Sequence, residues 1–275
     1  MSKKVAIVTG SNKGIGHAIV QALCKQFDGD VYLTGRSDER CKEAIAKLKK
    51  EGLSPKYHQL DIDDQTSINK LRDFIKDNYG GLDVLINNAA IAYKNDSTAP
   101  FGEQATVTCK TNFFSTLNVC NALFPLLRPH ARVVNMSSYG AQMSISKCSE
   151  DVKSKFKKAD ITMDQLKALI QKFVDAAQTG KHQEQGFSNS AYQMSKVGVT
   201  IMSFIQQRQL NSDQRTDIIV NACCPGYTDT DMTSHKGKKT VQEAADTPVY
   251  LALLPPGTKS PKGNFVSDRT IQNWG

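Results

Sequence analysis

Val5-Ala-Ile-Val8, followed by Thr9-Gly10-Ser-Asn-Lys-Gly14-Ile-Gly16, is the stretch that decides the fold of this chain. The apolar run predicts a short strand, the glycines a tight turn, and the amphipathic run through Phe27 a helix. Such a turn lets the backbone approach a pyrophosphate, which the N–H groups and dipole of the helix attract. The G-x-x-x-G-x-G spacing differs from the common G-x-G-x-x-G, yet its position favours dinucleotide binding over a turn alone. The predicted contacts are Gly10, Asn12, Lys13, Gly14, Ile15 and Gly16.

Length and composition predict one domain, residues 1–275, around one sizeable α/β core. The net charge of +8 would suit a polyanion, but the Lys and Arg residues are scattered, so nucleic acid is not required. We expect a cytoplasmic protein without a signal peptide or membrane span. Seven cysteines without C-x-x-C predict reduced thiols, and five scattered histidines predict no metal site.

The second predicted strand, Asp30-Val-Tyr-Leu-Thr34, indicates which dinucleotide is bound. It ends at Gly35-Arg36, about twenty residues past the glycine turn, where an NAD enzyme places an acid for the ribose hydroxyl. Arg36, Arg40 and Lys13 offer positive charge for a 2′-phosphate, so NADPH is the predicted coenzyme. We interpret Asp38 as a charge at a helix N-terminus.

The next two strands also end in polar residues. Asp61 and Ile62 follow the third strand and are predicted to contact the coenzyme; Asp61 accepts from the adenine amino group or caps the strand end. The fourth strand, Leu82-Asp-Val-Leu-Ile86, leads into Asn87-Asn88-Ala89-Ala90. Asn88 is predicted to tie neighbouring loops together and to line the cofactor cleft, because ligands of parallel sheets bind at this edge.

Further candidate residues lie in the second half of the chain. Asn112 lies in the middle of a long apolar segment, from about residue 103 to 127, that is predicted to be helical, and an amide inside a helix needs a buried hydrogen bond or a catalytic water. Ser138 follows the fifth strand and either caps a turn or donates to a substrate carbonyl. Tyr192 and Lys196 are four residues apart on a predicted helix, so they share one face, and a nearby ammonium lowers the pKa of a phenol.

Strands alternate with helices along the chain in units of about 30 residues. This alternation predicts an α/β fold of the Rossmann type, with a doubly wound parallel sheet and helices on both faces. The functional residues are then expected at the carboxyl ends of the strands.

In combination, these motifs resemble the short-chain dehydrogenase/reductase family over nearly the whole chain. They are T-G-x-x-x-G-x-G at 9–16, N-N-A at 87–89, Asn112, Ser138, Y-x-x-x-K at 192–196 and Pro225-Gly226. The resemblance implies that Ser138 polarises the substrate oxygen and that Tyr192 protonates it. It also implies that Lys196 holds the nicotinamide ribose and that Asn112 supports a water relay. Ala90 replaces the family's usual glycine, and we expect the extra methyl to be tolerated.

Within that family the chain resembles the monomeric NADPH-dependent carbonyl reductases, which share its long gap between Ser138 and Tyr192. A helical insertion at about 140–188 fills this gap. Thr162-Met-Asp-Gln165 predicts a capping box, and apolar residues at helical spacing follow it. The insertion either covers the surface that related oligomers use, which predicts a monomer, or is only a substrate lid.

The resemblance also assigns residues around the substrate. It implies that Thr228 and Thr230 hold the nicotinamide carboxamide and phosphates, that Tyr227 forms an aromatic substrate wall, and that Gln104 contacts substrate. Cys224 borders the cleft in the related reductases, and either packs as a buried thiol or reacts with quinones or glutathione conjugates.

We therefore expect an NADPH-dependent reductase of small-molecule aldehydes, ketones and quinones. One alternative is an enzyme that performs the same chemistry and is dedicated to a steroid, prostaglandin or pterin substrate. Another is a protein that binds NADP(H) as a sensor without catalysis, although such a protein has no need of Ser138 and Tyr192 together.

Overall fold

An eight-stranded sheet forms the centre of the computed structural model, which describes residues 3–94 and 96–274. The strand order is β3-β2-β1-β4-β5-β6-β7-β8. The first seven strands are parallel and β8 pairs antiparallel to β7. The strands are β1 Val5–Val8, β2 Asp30–Gly35, β3 Lys56–Gln59, β4 Leu82–Asn87, β5 Leu127–Met136, β6 Ile219–Cys224, β7 Phe265–Ser267 and β8 Thr270–Gln272. The predicted parallel sheet is confirmed, with an added antiparallel edge.

Helices cover both faces of this sheet, as predicted. One face packs against α1 Gly14–Gln26, α2 Asp38–Lys50 and α10 Val241–Ala252. The other packs against α3 Gln65–Tyr79, α4 Phe101–Cys109, α5 Thr116–Leu123 and α9 Ala191–Leu210. The central strands β1 and β6 are buried along their whole length, which explains the unbroken apolar sequence of β1 and the nearly apolar one of β6, where Asn221 is the exception.

The predicted insertion folds into three helices, α6 Tyr139–Lys147, α7 Glu150–Phe156 and α8 Met163–Gln178. The capping box is confirmed: Thr162 Oγ1 accepts from the Gln165 N–H at 3.2 Å, and Gln165 Oε1 accepts from the Thr162 N–H at 3.0 Å. Buried residues of α8, among them Phe173, share an apolar cluster with α4 and α9. His182 stacks on Phe101 with ring centroids 4.2 Å apart. The insertion therefore packs on the helix that carries Tyr192.

Two elements differ from the sequence prediction. The apolar segment at 103–127 is not one helix, because a π-helix, Lys110–Ser115, separates α4 from α5 and β5 starts at Leu127. Strand β8 and the place of Trp274, which packs against Phe204 and Phe265, were not predicted.

In the part of the chain that the structure describes, the helices are too short or too polar to cross a bilayer.

Candidate active site

The glycine turn at the end of β1 is fitted closely to the end of β4. Gly10 has a φ of +59°, and a Cβ there would lie 2.7 Å from the Cα of Ala89. A Cβ on Gly16 would lie 2.4 Å from Nδ2 of Asn88, which donates to the carbonyls of Thr9 and Gly10 at 2.9 and 3.0 Å. Asn88 therefore holds the turn in shape, as predicted for a residue that ties neighbouring loops.

The start of helix α1 has the features that a dinucleotide phosphate requires. Lys13 is the N-cap residue and makes no side-chain capping hydrogen bond, and the first turn contains no acidic residue. A Cβ on Gly14 would meet only Thr230 Cγ2, at 3.7 Å, so this turn leaves open space. Asn12 packs beside it over Gly35, and Ile15 is half-buried against the core. The free N–H groups and this space fit a pyrophosphate.

Arg36 and Arg40 lie exposed at the end of β2 and in the first turn of α2, and neither guanidinium forms an ion pair with a residue that the structure describes. Asp38 is engaged elsewhere, because it pairs with Lys42 at 2.5 Å. Lys13 differs from the two arginines, since its Nζ lies 2.6 Å from Oδ2 of Asp231. The two arginines remain available to a 2′-phosphate.

Asp61 and Ile62 lie in the turn after β3. One carboxylate oxygen of Asp61 accepts from the Asp63 N–H at 3.0 Å, which is the strand-end role that we considered. Ile62 is buried in the core under α3. A contact of either residue with the adenine stays a prediction.

Ser138 and Tyr192 meet where β5 ends and α9 begins. Ser138 is the N-cap of α6, and its Oγ accepts from the Gly140 N–H at 3.0 Å. Its hydroxyl hydrogen remains available to another acceptor. Tyr192 lies in the first turn of α9, near enough to Ser138 for a side-chain hydrogen bond that affects its pKa.

Lys196 is buried one turn further along α9. Its Nζ donates to the carbonyl oxygen of Met136 at 2.7 Å and lies 5.7 Å from the centroid of the Tyr192 ring. Burial lowers the pKa of Lys196 to about 8, because the charged form is poorly solvated there.

The sequence predicted that Lys196 lowers the pKa of Tyr192, and this lowering is not found. Burial raises the pKa of Tyr192 to about 12, with a further rise from Cys224, and the hydrogen bond with Ser138 offsets only part of it. Desolvation of the phenolate is therefore the largest influence on this pKa, and the Lys196 ammonium donates to the Met136 carbonyl instead of to the phenol.

Asn112 lies in the π-helix, and both the oxygen and the nitrogen of its side-chain amide form hydrogen bonds. Its Oδ1 accepts from the Ile91 N–H at 2.8 Å, and its Nδ2 donates to the Ile91 carbonyl at 2.9 Å and to Ser195 Oγ at 3.0 Å. Ser195 Oγ in turn donates to the Tyr192 carbonyl at 2.7 Å. Asn112 thus holds the turn of α9 that carries Tyr192 and Lys196.

Sequence reasoning missed the residue that anchors this π-helix from the other side. Asp63 accepts from Thr111 Oγ1 at 2.8 Å and from Ser115 Oγ at 2.6 Å. π-helical turns are often found at functional sites. Only the three aspartates at positions 61, 63 and 64 signalled it, and such acidic clusters are common on solvated surfaces.

The segment after β6 lies beside these residues. Thr228 is buried and Thr230 faces Gly14, whereas Tyr227 is 55% exposed. Cys224 is buried, its Sγ accepts from the Tyr139 N–H at 3.2 Å, and burial raises its thiol pKa. Since the thiolate is the reactive form, this favours the packing role over the reactive one.

Gln104, the predicted substrate contact, is half-buried in α4. Its Nε2 donates to the Ala99 carbonyl at 2.9 Å and so fixes the loop that precedes α4. Contact with substrate stays a prediction for this residue.

Comparison with known proteins agrees with this architecture. A family model described as short chain dehydrogenase matches residues 4–172 and 176–241. Human carbonyl reductase 1, whose name includes NADPH, is 51% identical over 271 residues, which is 98% of both chains. The rat carbonyl reductase 1 is 50% identical over 273 residues, or 99% of both chains.

A solved structure extends the comparison to the fold. Salutaridine reductase from Papaver somniferum superposes with a TM-score of 0.86 at 27% identity, covering 97% of this chain and 100% of its own. With a family model over most of its length and relatives that share half of its residues, this chain belongs to the short chain dehydrogenase family.

Proposed function

We propose that this chain is an NADPH-dependent carbonyl reductase that reduces aldehydes, ketones and quinones to alcohols or hydroquinones. The observation that carries the proposal is the meeting of Ser138, Tyr192 and buried Lys196 at the sheet edge that also holds the glycine turn. Relatives at about half identity over the full length are named as carbonyl reductases with NADPH. The predicted enzyme class and coenzyme are therefore confirmed.

Ser138 and Tyr192 act on the carbonyl oxygen. Ser138 Oγ accepts from the Gly140 N–H, and its hydroxyl hydrogen is donated to Tyr192 until a substrate carbonyl takes its place as the acceptor. Tyr192 is protonated at neutral pH, since its pKa is raised, and this is the form that a proton donor needs. NADPH, when bound, supplies the hydride to the carbonyl carbon.

Lys196 and Asn112 support the proton donor. At neutral pH the Lys196 ammonium is mostly charged, and it stabilises negative charge as the phenol gives up its proton. Asn112 fixes this turn of α9 through Ser195, and we assign it the proton path to Lys196 that the family resemblance implies.

The coenzyme lies, in this proposal, along the glycine turn with its 2′-phosphate near Arg36, Arg40 and Lys13. The uncapped start of α1 supports the placement of the pyrophosphate there. We assign the remaining contacts to Gly10, Asn12, Gly14, Ile15, Gly16, Asp61, Ile62, Asn88, Tyr192, Lys196, Thr228 and Thr230.

Exposed apolar side chains suit an apolar carbonyl substrate. Tyr139 and Met143 follow β5, and Tyr227 and Met232 follow β6; each is more than a third exposed. Strands β5 and β6 are neighbours in the sheet, so the segments that follow them begin side by side at its carboxyl edge, where ligands of parallel sheets bind. We therefore assign the substrate wall to this rim, with Gln104 as a polar contact.

We also propose that the chain is a single domain, that it is a monomer, and that it acts in the cytoplasm. Helix α8 packs on α4 and α9, and the family resemblance implies that related oligomers pair through the helix carrying Tyr192 and its neighbour. Seven free thiols suit a reducing compartment. Size-exclusion chromatography with light scattering tests the monomer, and a stable dimer would contradict it.

NADPH oxidation over a panel of quinones, aldehydes, ketones, steroids, prostaglandins and pterins tests the function. We expect turnover of several unrelated carbonyls with NADPH and slower turnover with NADH. Turnover of a single steroid, prostaglandin or pterin would favour a dedicated enzyme. Coenzyme binding without oxidation on any carbonyl would instead indicate a sensor.

A further inference from the structure

The loop that follows β6, residues 226–240, is hydrogen-bonded to itself. Thr228 forms a parallel bridge with Lys239, and the Asp229 N–H donates to the Lys239 carbonyl at 2.8 Å. The backbone of Gly237 packs on Thr228 so closely that a Cβ would lie 1.9 Å from the carbonyl carbon of Thr228. We call residues 226–240 the post-β6 loop; its own contacts fix its shape.

An ion pair joins this loop to the glycine turn. Lys13 Nζ lies 2.6 Å from Oδ2 of Asp231, and both side chains are 62% exposed. The other oxygen of Asp231 lies 3.2 Å from Nε2 of His235, whose Nδ1 lies 2.7 Å from Oδ1 of Asp229. Of Lys13 and His235, Asp231 therefore contacts both, whereas Asp229 contacts only His235.

Lys13 is thus the one member of the predicted phosphate-binding trio that already has an acidic partner. Arg36 and Arg40 make no ion pair with the described residues, so a 2′-phosphate meets them unopposed. To reach Lys13, the phosphate must displace the Asp231 carboxylate. Exposed ion pairs are weak, so a doubly charged phosphate succeeds, but the competition reduces its affinity.

We propose that Asp231 is a specificity-determining residue that competes with the coenzyme 2′-phosphate for Lys13 and thereby limits the preference for NADP(H) over NAD(H). The inference rests on the proposed function, since it takes NADPH as the coenzyme. Its consequence is a shorter residence time of the oxidised coenzyme, and product release limits turnover in many enzymes.

Calorimetric titration of the intact chain with NADPH and with NADH tests this role. We expect Asp231→Asn to tighten NADPH binding about two- to fivefold, because the competing ion pair is lost. NADH affinity should not change, since NADH has no 2′-phosphate. Asp229→Asn is the matched control in the same loop and should leave both affinities unchanged.

A double-mutant cycle with Lys13 isolates the pairwise effect. In a Lys13→Ala background, Asp231→Asn should no longer tighten NADPH binding. The inference would be overturned if Asp231→Asn left NADPH affinity unchanged, or if it weakened NADPH and NADH binding equally. It would also be overturned if Asp231→Asn tightened NADPH binding to the full extent in the Lys13→Ala background. A wild-type chain that binds NADPH no better than NADH would instead contradict the proposed coenzyme.

Discussion

Lys196 is buried and Tyr192 is half-buried beside it, and desolvation moves their pKa values in opposite directions. The Tyr192 value rises to about 12 and the Lys196 value falls to about 8, because each environment disfavours the charged form. At neutral pH both groups still carry the proton that reduction needs. The lysine is the first of the two to lose it as the pH rises.

This difference predicts a pH dependence. Lys196 is an ammonium below about pH 8 and neutral above it, so kcat/KM for carbonyl reduction should fall as the pH rises through this value. Initial rates at several pH values, with NADPH held saturating, measure the fall. Lys196→Arg keeps its charge at all these values, so its residual activity should show no such fall. A flat wild-type profile through pH 8 would argue against an essential Lys196 ammonium.

At the scale of elements, the π-helix Lys110–Ser115 places Asn112 against α9. Asp63 holds its two ends through Thr111 and Ser115, and Asn112 reaches Ser195 from its middle. A shift of this short segment therefore moves the turn that carries the catalytic tyrosine.

We predict that Asp63→Ala lowers kcat by about 10- to 100-fold with little change in the NADPH dissociation constant, because small displacements of catalytic groups are costly. Steady-state kinetics and a coenzyme titration measure the two quantities. Asp64→Ala is the control: it removes the N-cap of α3, where the side chain accepts from the Thr66 N–H at 2.9 Å. It should cost about 1 kcal/mol of stability and leave kcat unchanged. Equal kcat values for both variants would remove Asp63 from this role.

For the whole molecule, the insertion contributes to the core. Phe173 of α8 has no exposed surface and contacts the rings of Phe101, His182 and Phe187. The insertion is therefore unlike a mobile lid, which would expose its apolar face when open.

Phe173→Ala should lower the free energy of unfolding by about 3–5 kcal/mol, as expected for a large aromatic side chain removed from a core. Urea denaturation followed by circular dichroism measures the loss. Phe114→Ala, at a half-buried position, should cost less. A loss below 1 kcal/mol for Phe173→Ala would mean that the insertion packs loosely.

Much of this architecture could be predicted because its signals are local. Apolar runs predict strands, and in a parallel sheet their ends meet at one edge, so Ser138, Asn88 and the glycine turn could be placed together. The C-terminal hairpin could not, because its turn is Asp268-Arg269, with φ values of 48° and 56°, instead of the Asn-Gly that usually signals such turns.

The remaining differences depend on tertiary contacts. The π-helix is anchored by hydrogen bonds to Asp63, which is distant in sequence. The raised pKa of Tyr192 follows from burial, which the Y-x-x-x-K spacing does not reveal. The ion pair between Lys13 and Asp231 joins residues that are 218 positions apart in the chain.

The central claim is that Tyr192 gives its proton to the substrate oxygen, and Tyr192→Phe tests it most directly. This substitution removes the hydroxyl and keeps the ring. With NADPH and a quinone or aldehyde that the wild type reduces, we predict that turnover falls at least about a hundredfold, since proton transfer contributes about 10² to 10⁴. Calorimetry should find the NADPH dissociation constant nearly unchanged. Turnover close to that of the wild type would contradict the account.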